Sequence, residues 1–153
     1  MWPTLCLAAA LATLSIIDVC VRRLPDYLTL PLIAGGLVMS LLNFQIELQS
    51  SLLGAGFGFA AFWLLAFWYR NTRGLDGLGL GDAKLLAAAG AWLGPLYLAP
   101  IVFVSALLAI VCALLLRAFG SQLSWRSTLP FGPFLSVGFF AFWCLKVSGF
   151  SPF

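Results

Sequence analysis

The chain contains five acidic residues, Asp18, Asp26, Glu47, Asp76 and Asp82, and no histidine. Without histidine there is no His-based general base and no Cys/His zinc site. No serine has an evident base beside it. Asp18 and Asp82 are the two acids that abut or lie inside long apolar stretches. An aspartate near the centre of a membrane helix costs about 2.5–3.5 kcal/mol on insertion scales, and less near an end. Two such carboxylates facing each other resist double ionisation and share one proton. The ionised member can take a proton from water while the protonated member polarises a carbonyl. The two titrations belong to the pair, so neither residue is assigned as acid or base. The chemistry on offer is hydrolysis by an acidic dyad, with no metal and no cofactor.

The elements that must position this pair follow from composition. The sequence is 63% hydrophobic and 8% charged, with a mean hydropathy of +1.08. A soluble domain averages about 45–50% apolar and about 25% charged, so most of this chain's solvent must be lipid. Six apolar segments can be marked: about Trp2 to Val21, Leu28 to Phe44, Ser51 to Tyr69, Asp82 to Leu96, Leu98 to Leu116 and Phe131 to Val147. Spans of roughly 20 residues leave room for little else in 153. The expected fold is therefore all-α, a polytopic bundle of about six transmembrane helices in one domain, 1–153.

Charge tests this topology. Arg22 and Arg23 follow the first segment, Arg70 and Arg73 the third, and Arg117 and Arg126 the fifth. Lys84 sits at the start of the fourth, and only Lys146 breaks the pattern. The positive-inside rule makes the basic side cytoplasmic, with both termini outside. The basic pair follows the first apolar run instead of preceding it, which suits a retained span better than a cleaved signal. Asp18 and Asp82 then share one side and one depth, in two helices that can pack together. Gly54 and Gly58, and Gly90 and Gly94, form GxxxG pairs that would let helices approach closely.

Structural readings compete with chemical ones. Asp82 could cap the fourth helix. Asp18 opposes the dipole at the end of its own helix, though it could pair with Arg22. Asp26, after Pro25, suits the cap or turn before the second segment. Asp76 and Glu47 suit solvated loops. Gly77, Gly79 and Gly81 put three glycines before Asp82, where an extended peptide could hydrogen-bond to the backbone. The phosphate-binding Lys-Ser/Thr signature is missing there. Lys84 lies roughly 200° round the helix from Asp82 and suits an interface anchor. The net charge of +3 comes without a basic run, so nucleic acid is not an expected partner. Cys6, Cys20, Cys112 and Cys144 form no Cys-x-x-Cys pair and are expected as small buried hydrophobes.

Three blocks resemble the type IV prepilin peptidases, the GxGD membrane aspartyl proteases. The first is Asp18, then Leu24-Pro25-Asp26-Tyr27-Leu28-Thr29-Leu30-Pro31-Leu32. The second is Gly79-Leu80-Gly81-Asp82-Ala83-Lys84-Leu85-Leu86, continuing Ala87-Ala88-Ala89-Gly90-Ala91-Trp92-Leu93-Gly94. The third is Leu129-Pro130-Phe131-Gly132-Pro133-Phe134-Leu135. They stand in the family's order from the first helix to the last. The resemblance implies that Asp18 and Asp82 match the two catalytic aspartates. It also implies removal of leader peptides from prepilins or type II secretion pseudopilins, at the cytoplasmic face of the bacterial inner membrane. For Leu129 to Leu135 the expectation is packing or groove shaping only. Longer members carry a cytoplasmic domain with paired Cys-x-x-Cys motifs, associated with N-methylation. This sequence departs from them there, so cleavage without methylation is expected.

Two other classes stand beside this one. A proton-coupled transporter could use Asp18 and Asp82 as proton carriers, but it needs a polar path that the outer halves of the segments do not offer. A catalytically silent scaffold of a pilus or secretion system would tolerate loss of both aspartates.

Overall fold

The computed structural model describes residues 2–21, 24–42, 46–73, 79–119 and 130–149. Arg22, Arg23, Asp76, Gly77, Arg126 and Leu129 lie outside these described residues. Six α-helices occur among them: α1 (Trp2–Val21), α2 (Asp26–Leu41), α3 (Leu48–Arg73), α4 (Leu80–Leu93), α5 (Leu98–Ala118) and α6 (Gly132–Val147). A short 3-10 turn, Pro95–Tyr97, joins α4 to α5. The chain is an all-α membrane-type bundle.

Each expected segment is a helix, but their lengths are unequal. α1, α3 and the unit made by the 3-10 turn and α5 are long and apolar enough to cross a membrane. α2 and α6 have 16 residues and α4 has 14. At 1.5 Å per residue these reach about 24 Å and about 21 Å, short of a hydrocarbon core of about 30 Å. Of the six expected helices, three are long and three are short. α4 can be short because protein encloses it on most sides: Leu85 through Leu93 are all buried. A helix apolar all round belongs in such a core.

Small residues set the α3–α4 seam. A methyl group built on Gly54 would fall on the backbone of Gly90, one on Gly90 on that of Gly54, and one on Gly58 on the Leu86 carbonyl. Both GxxxG pairs therefore lie at a helix contact, Gly94 also touching Gly54. Gly94 ends α4 as well, at φ 93°, a conformation that disfavours any side chain. Ser51 Oγ donates to the Ala91 carbonyl across this seam at 2.6 Å.

Trp92 ties α4 to α2 and α6. Its Nε1 donates to the Leu32 carbonyl at 2.8 Å, and its ring meets Trp143 edge-on at 5.1 Å. Trp143 Nε1 in turn donates to Thr4 Oγ1 of α1 at 3.3 Å. At the same end, Lys146 Nζ donates to the Leu93 carbonyl at 3.1 Å and sits over the Tyr97 ring. The residue that breaks the positive-side pattern thus caps the C-terminus of α4, where a cation is favoured.

The outer faces carry large apolar side chains, including Ile16, Leu30, Phe57, Phe67, Phe103 and Ile110. Such a surface suits lipid and not water. Cys6, Cys20 and Cys144 are exposed there and Cys112 is half-buried; all four are free thiols. This corrects the expectation that they are buried. In a lipid-facing chain the outer surface is as apolar as the core, so a small apolar residue has no reason to prefer the inside.

Candidate active site

The helix directions converge on one end of the bundle. α1 runs against α6, with Thr4 near Trp143 and Asp18 near Gly132. α4 runs alongside α2, with Gly81 near Leu24 and Trp92 near Leu32. Asp18, Asp26, Asp82, Lys84 and Gly132 consequently share one end. The C-terminal turns of α3 and α5, with Arg70 and Arg117, end there too.

Asp18 is buried, with 6% of its surface exposed. Its Oδ2 accepts a hydrogen bond from the Gly132 backbone N–H at 3.0 Å. Gly132 is the first residue of α6, and Pro133 follows it without a donor. A carboxylate at the C-terminal end of its own helix is disfavoured. The positive N-terminus of α6 reverses that, since unpaired backbone N–H groups and the dipole both welcome an anion. The bond also fixes which way the carboxylate points. No side chain fits between the two: a methyl on Gly132 would come within 2.6 Å of Asp18 Oδ2.

Asp82 is half-buried in the first turn of α4. The N-cap is Gly79, which offers no side-chain hydrogen bond, so the competing reading of Asp82 as the cap does not hold. The Asp82 backbone N–H donates to the Gly79 carbonyl at 3.1 Å. Asp82 thus opens α4 at the end of the bundle where Asp18 meets Gly132. α1 and α4 are not principal packing partners, contrary to the simple pairing expected of them. α6 packs against both and spans the gap.

The remaining site residues separate. Gly79 is exposed, and the nearest atoms to a methyl there would be 3.8 Å away. Gly81 is covered instead: a methyl on it would meet Leu24 Cβ at 2.7 Å. That face of the glycine stretch is filled by packing and is not open to a peptide backbone. Pro25, in extended conformation, is the N-cap of α2, and Asp26 is its first residue. Asp26 is not itself the cap. It forms a salt bridge to Lys84, so Lys84 is bound to a neighbouring helix start and is more than an interface anchor. Among the described residues no three of His, Cys, Asp or Glu come together.

Gly132 is the residue that sequence reasoning missed. It stands within the third block, for which only packing or groove shaping is expected. A glycine between two prolines at a helix start signals close approach; the partner, 114 residues away, carries no local signal.

Comparison with known proteins gives the chain a family. The family model described as the Type IV leader peptidase family matches residues 5–114. A Neisseria gonorrhoeae protein named prepilin leader peptidase/N-methyltransferase is 43% identical over 133 residues, which are 87% of this chain and 45% of that protein. Proteins of the same name from Burkholderia pseudomallei (strain 1026b) and Pectobacterium carotovorum subsp. carotovorum are 39% and 38% identical. These alignments cover 86% and 90% of this chain, and 42% and 49% of the relatives. The chain thus spans about half the length of the curated relatives it matches. No solved structure matches it.

Proposed function

Because the chain belongs to the Type IV leader peptidase family, we propose that it is an aspartyl endopeptidase. Its substrates would be prepilins or type II secretion pseudopilins, from which it removes the leader peptide at the cytoplasmic face of the bacterial inner membrane. The observation that carries this reading is the Asp18–Gly132 bond, which orients a buried carboxylate at the end of the bundle where Asp82 opens α4.

The pair works with one proton between its members. The ionised carboxylate takes a proton from water, and the water oxygen attacks the scissile carbonyl carbon. The protonated carboxyl donates its proton to the carbonyl oxygen as the tetrahedral intermediate forms. Collapse breaks the C–N bond: the departing amine takes a proton from the carboxyl that received one from water, while one hydroxyl of the intermediate gives its proton to the other carboxylate as the carbonyl re-forms, which restores the singly protonated pair. The positive-inside rule supports the cytoplasmic side, since Arg70, Lys84 and Arg117 share the aspartates' end. Both termini of the chain would then face outward. Exposed Gly79 is the backbone available to an extended leader segment; Gly81 and Pro25 shape the loop behind it. Methyl transfer is not part of the proposal.

The test is co-expression with prepilins and pseudopilins in a strain lacking its own peptidase. Leader loss, read as a gel shift and confirmed by mass, is expected for at least one substrate. Unchanged mass across the panel contradicts the proposal.

A further inference from the structure

The first turn of α4, which carries Asp82, is weakly held by its own sequence. Gly79 and Gly81 flank Leu80, and the N-cap makes no side-chain hydrogen bond. Glycines at a helix start leave the backbone loose. Among the described residues, two contacts on this turn come from the stretch that leads into α2. Leu24 is buried and packs on the bare face of Gly81. Two residues later, Asp26 pairs with Lys84. Pro25 sits between them and restricts the backbone.

The angular arrangement gives these contacts a direction. Successive residues of a helix turn by about 100°. Gly81 and Lys84 therefore lie within about 60° of each other, on the side facing α2. Asp82 projects roughly 100–160° away from both. The grip is on one face and the carboxylate is on another. An exposed ion pair contributes little to stability, and Asp26 is 61% exposed in this one. Its effect is geometric: together with the Leu24 contact on Gly81, it bears on the rotation and tilt of this first turn.

Resting on the dyad reading above, we propose that Asp26 and Lys84 are positioning residues. Together with Leu24 they form a clamp that aims Asp82 at Asp18. The segment that leaves the Asp18 helix thereby holds the Asp82 helix. One short stretch, Leu24 to Asp26, couples the two halves of the site.

Two readouts test this. The first is steady-state cleavage of a prepilin by purified Asp26→Asn, Lys84→Met and the exchanged pair Asp26→Lys with Lys84→Asp. A slightly misaimed group costs up to about 100-fold in rate. The single variants should lose roughly 10- to 100-fold in kcat with KM unchanged, and the exchanged pair should recover much of it. The second readout needs no activity. In a chain with its four native cysteines replaced by alanine, Asp18→Cys and Asp82→Cys are cross-linked with a short bis-maleimide. Cross-linking should fall when Asp26→Asn is added and return with the exchanged pair.

Single variants with wild-type kcat and unaltered cross-linking would overturn the clamp and leave the peptidase reading intact. A wild-type chain that cleaves nothing, yet whose cross-linking depends on the pair, would overturn the peptidase reading and leave the clamp standing. A kcat loss that the exchanged pair does not recover, with unaltered cross-linking, would also count against the clamp. It would assign the charges to substrate contact.

Discussion

Replacing Gly132 by alanine perturbs Asp18 without replacing a titratable group. The new Cβ would lie 2.6 Å from Asp18 Oδ2 and 2.9 Å from Cγ. Ordinary contact begins at 3.4 Å, so one partner must retreat by about 0.8 Å. A retreat of that size stretches the 3.0 Å bond from the Gly132 N–H beyond hydrogen-bonding range. A hydrogen bond to a charged group is worth about 1.5–3 kcal/mol. If the bond serves to aim the carboxylate, that loss lowers kcat by roughly 10- to 150-fold. Timed leader removal by purified protein in micelles measures kcat, and a thermal scan reports whether the fold survives. Gly56→Ala is the control, because no atom lies within 4 Å of its added Cβ. It should cleave at the wild-type rate. A folded Gly132→Ala variant that also cleaves at the wild-type rate would refute the orienting role of the Asp18–Gly132 bond.

Other expectations follow from the packing. Gly81→Ala presses on Leu24 Cβ, an atom that cannot swing aside; cleavage should slow relative to the Gly56→Ala control. Gly90→Ala drives a methyl into the Gly54 backbone. It should cost at least about 1–3 kcal/mol, seen as a lower melting temperature or loss of monodisperse protein. Trp92→Phe removes the donor to the Leu32 carbonyl and should cost about 0.5–1.5 kcal/mol of stability, while leader cleavage stays near wild type.

Helix existence was legible in the sequence because long apolar runs leave the backbone no alternative in lipid. α1 has the bounds expected of it. α4 starts at Leu80 instead of Asp82, since Gly81 joins the first turn once Leu24 covers it. Rotational phase was much less legible. In a soluble helix the polar face points outward and reveals the buried face. Here the helices are apolar on all sides, so Ile16 at the surface and Leu14 in the core look alike. Only small residues report phase, as Gly54, Gly58 and Gly90 do. The contacts that build the site join distant residues: Asp18 with Gly132, and Asp26 with Lys84. They depend on how α6 and α2 rotate against their neighbours, which local spacing does not encode. The two aspartates themselves stood out because an acid in an apolar helix needs a reason, whatever the phase.

In the proposed mechanism Asp18 and Asp82 act as acids, and Asp18 does more than cap α6. Asparagine separates these roles. Its side-chain oxygen can still accept from the Gly132 N–H, and asparagine caps helices about as well as aspartate, but it neither ionises nor carries the shared proton. The decisive measurement is leader cleavage by purified Asp18→Asn and Asp82→Asn, each shown by its melting temperature to be folded. Each variant should lose cleavage by at least about 1,000-fold, comparable to removing a general acid–base group. A folded Asp18→Asn or Asp82→Asn chain that cleaves at near the wild-type rate would contradict the dyad mechanism.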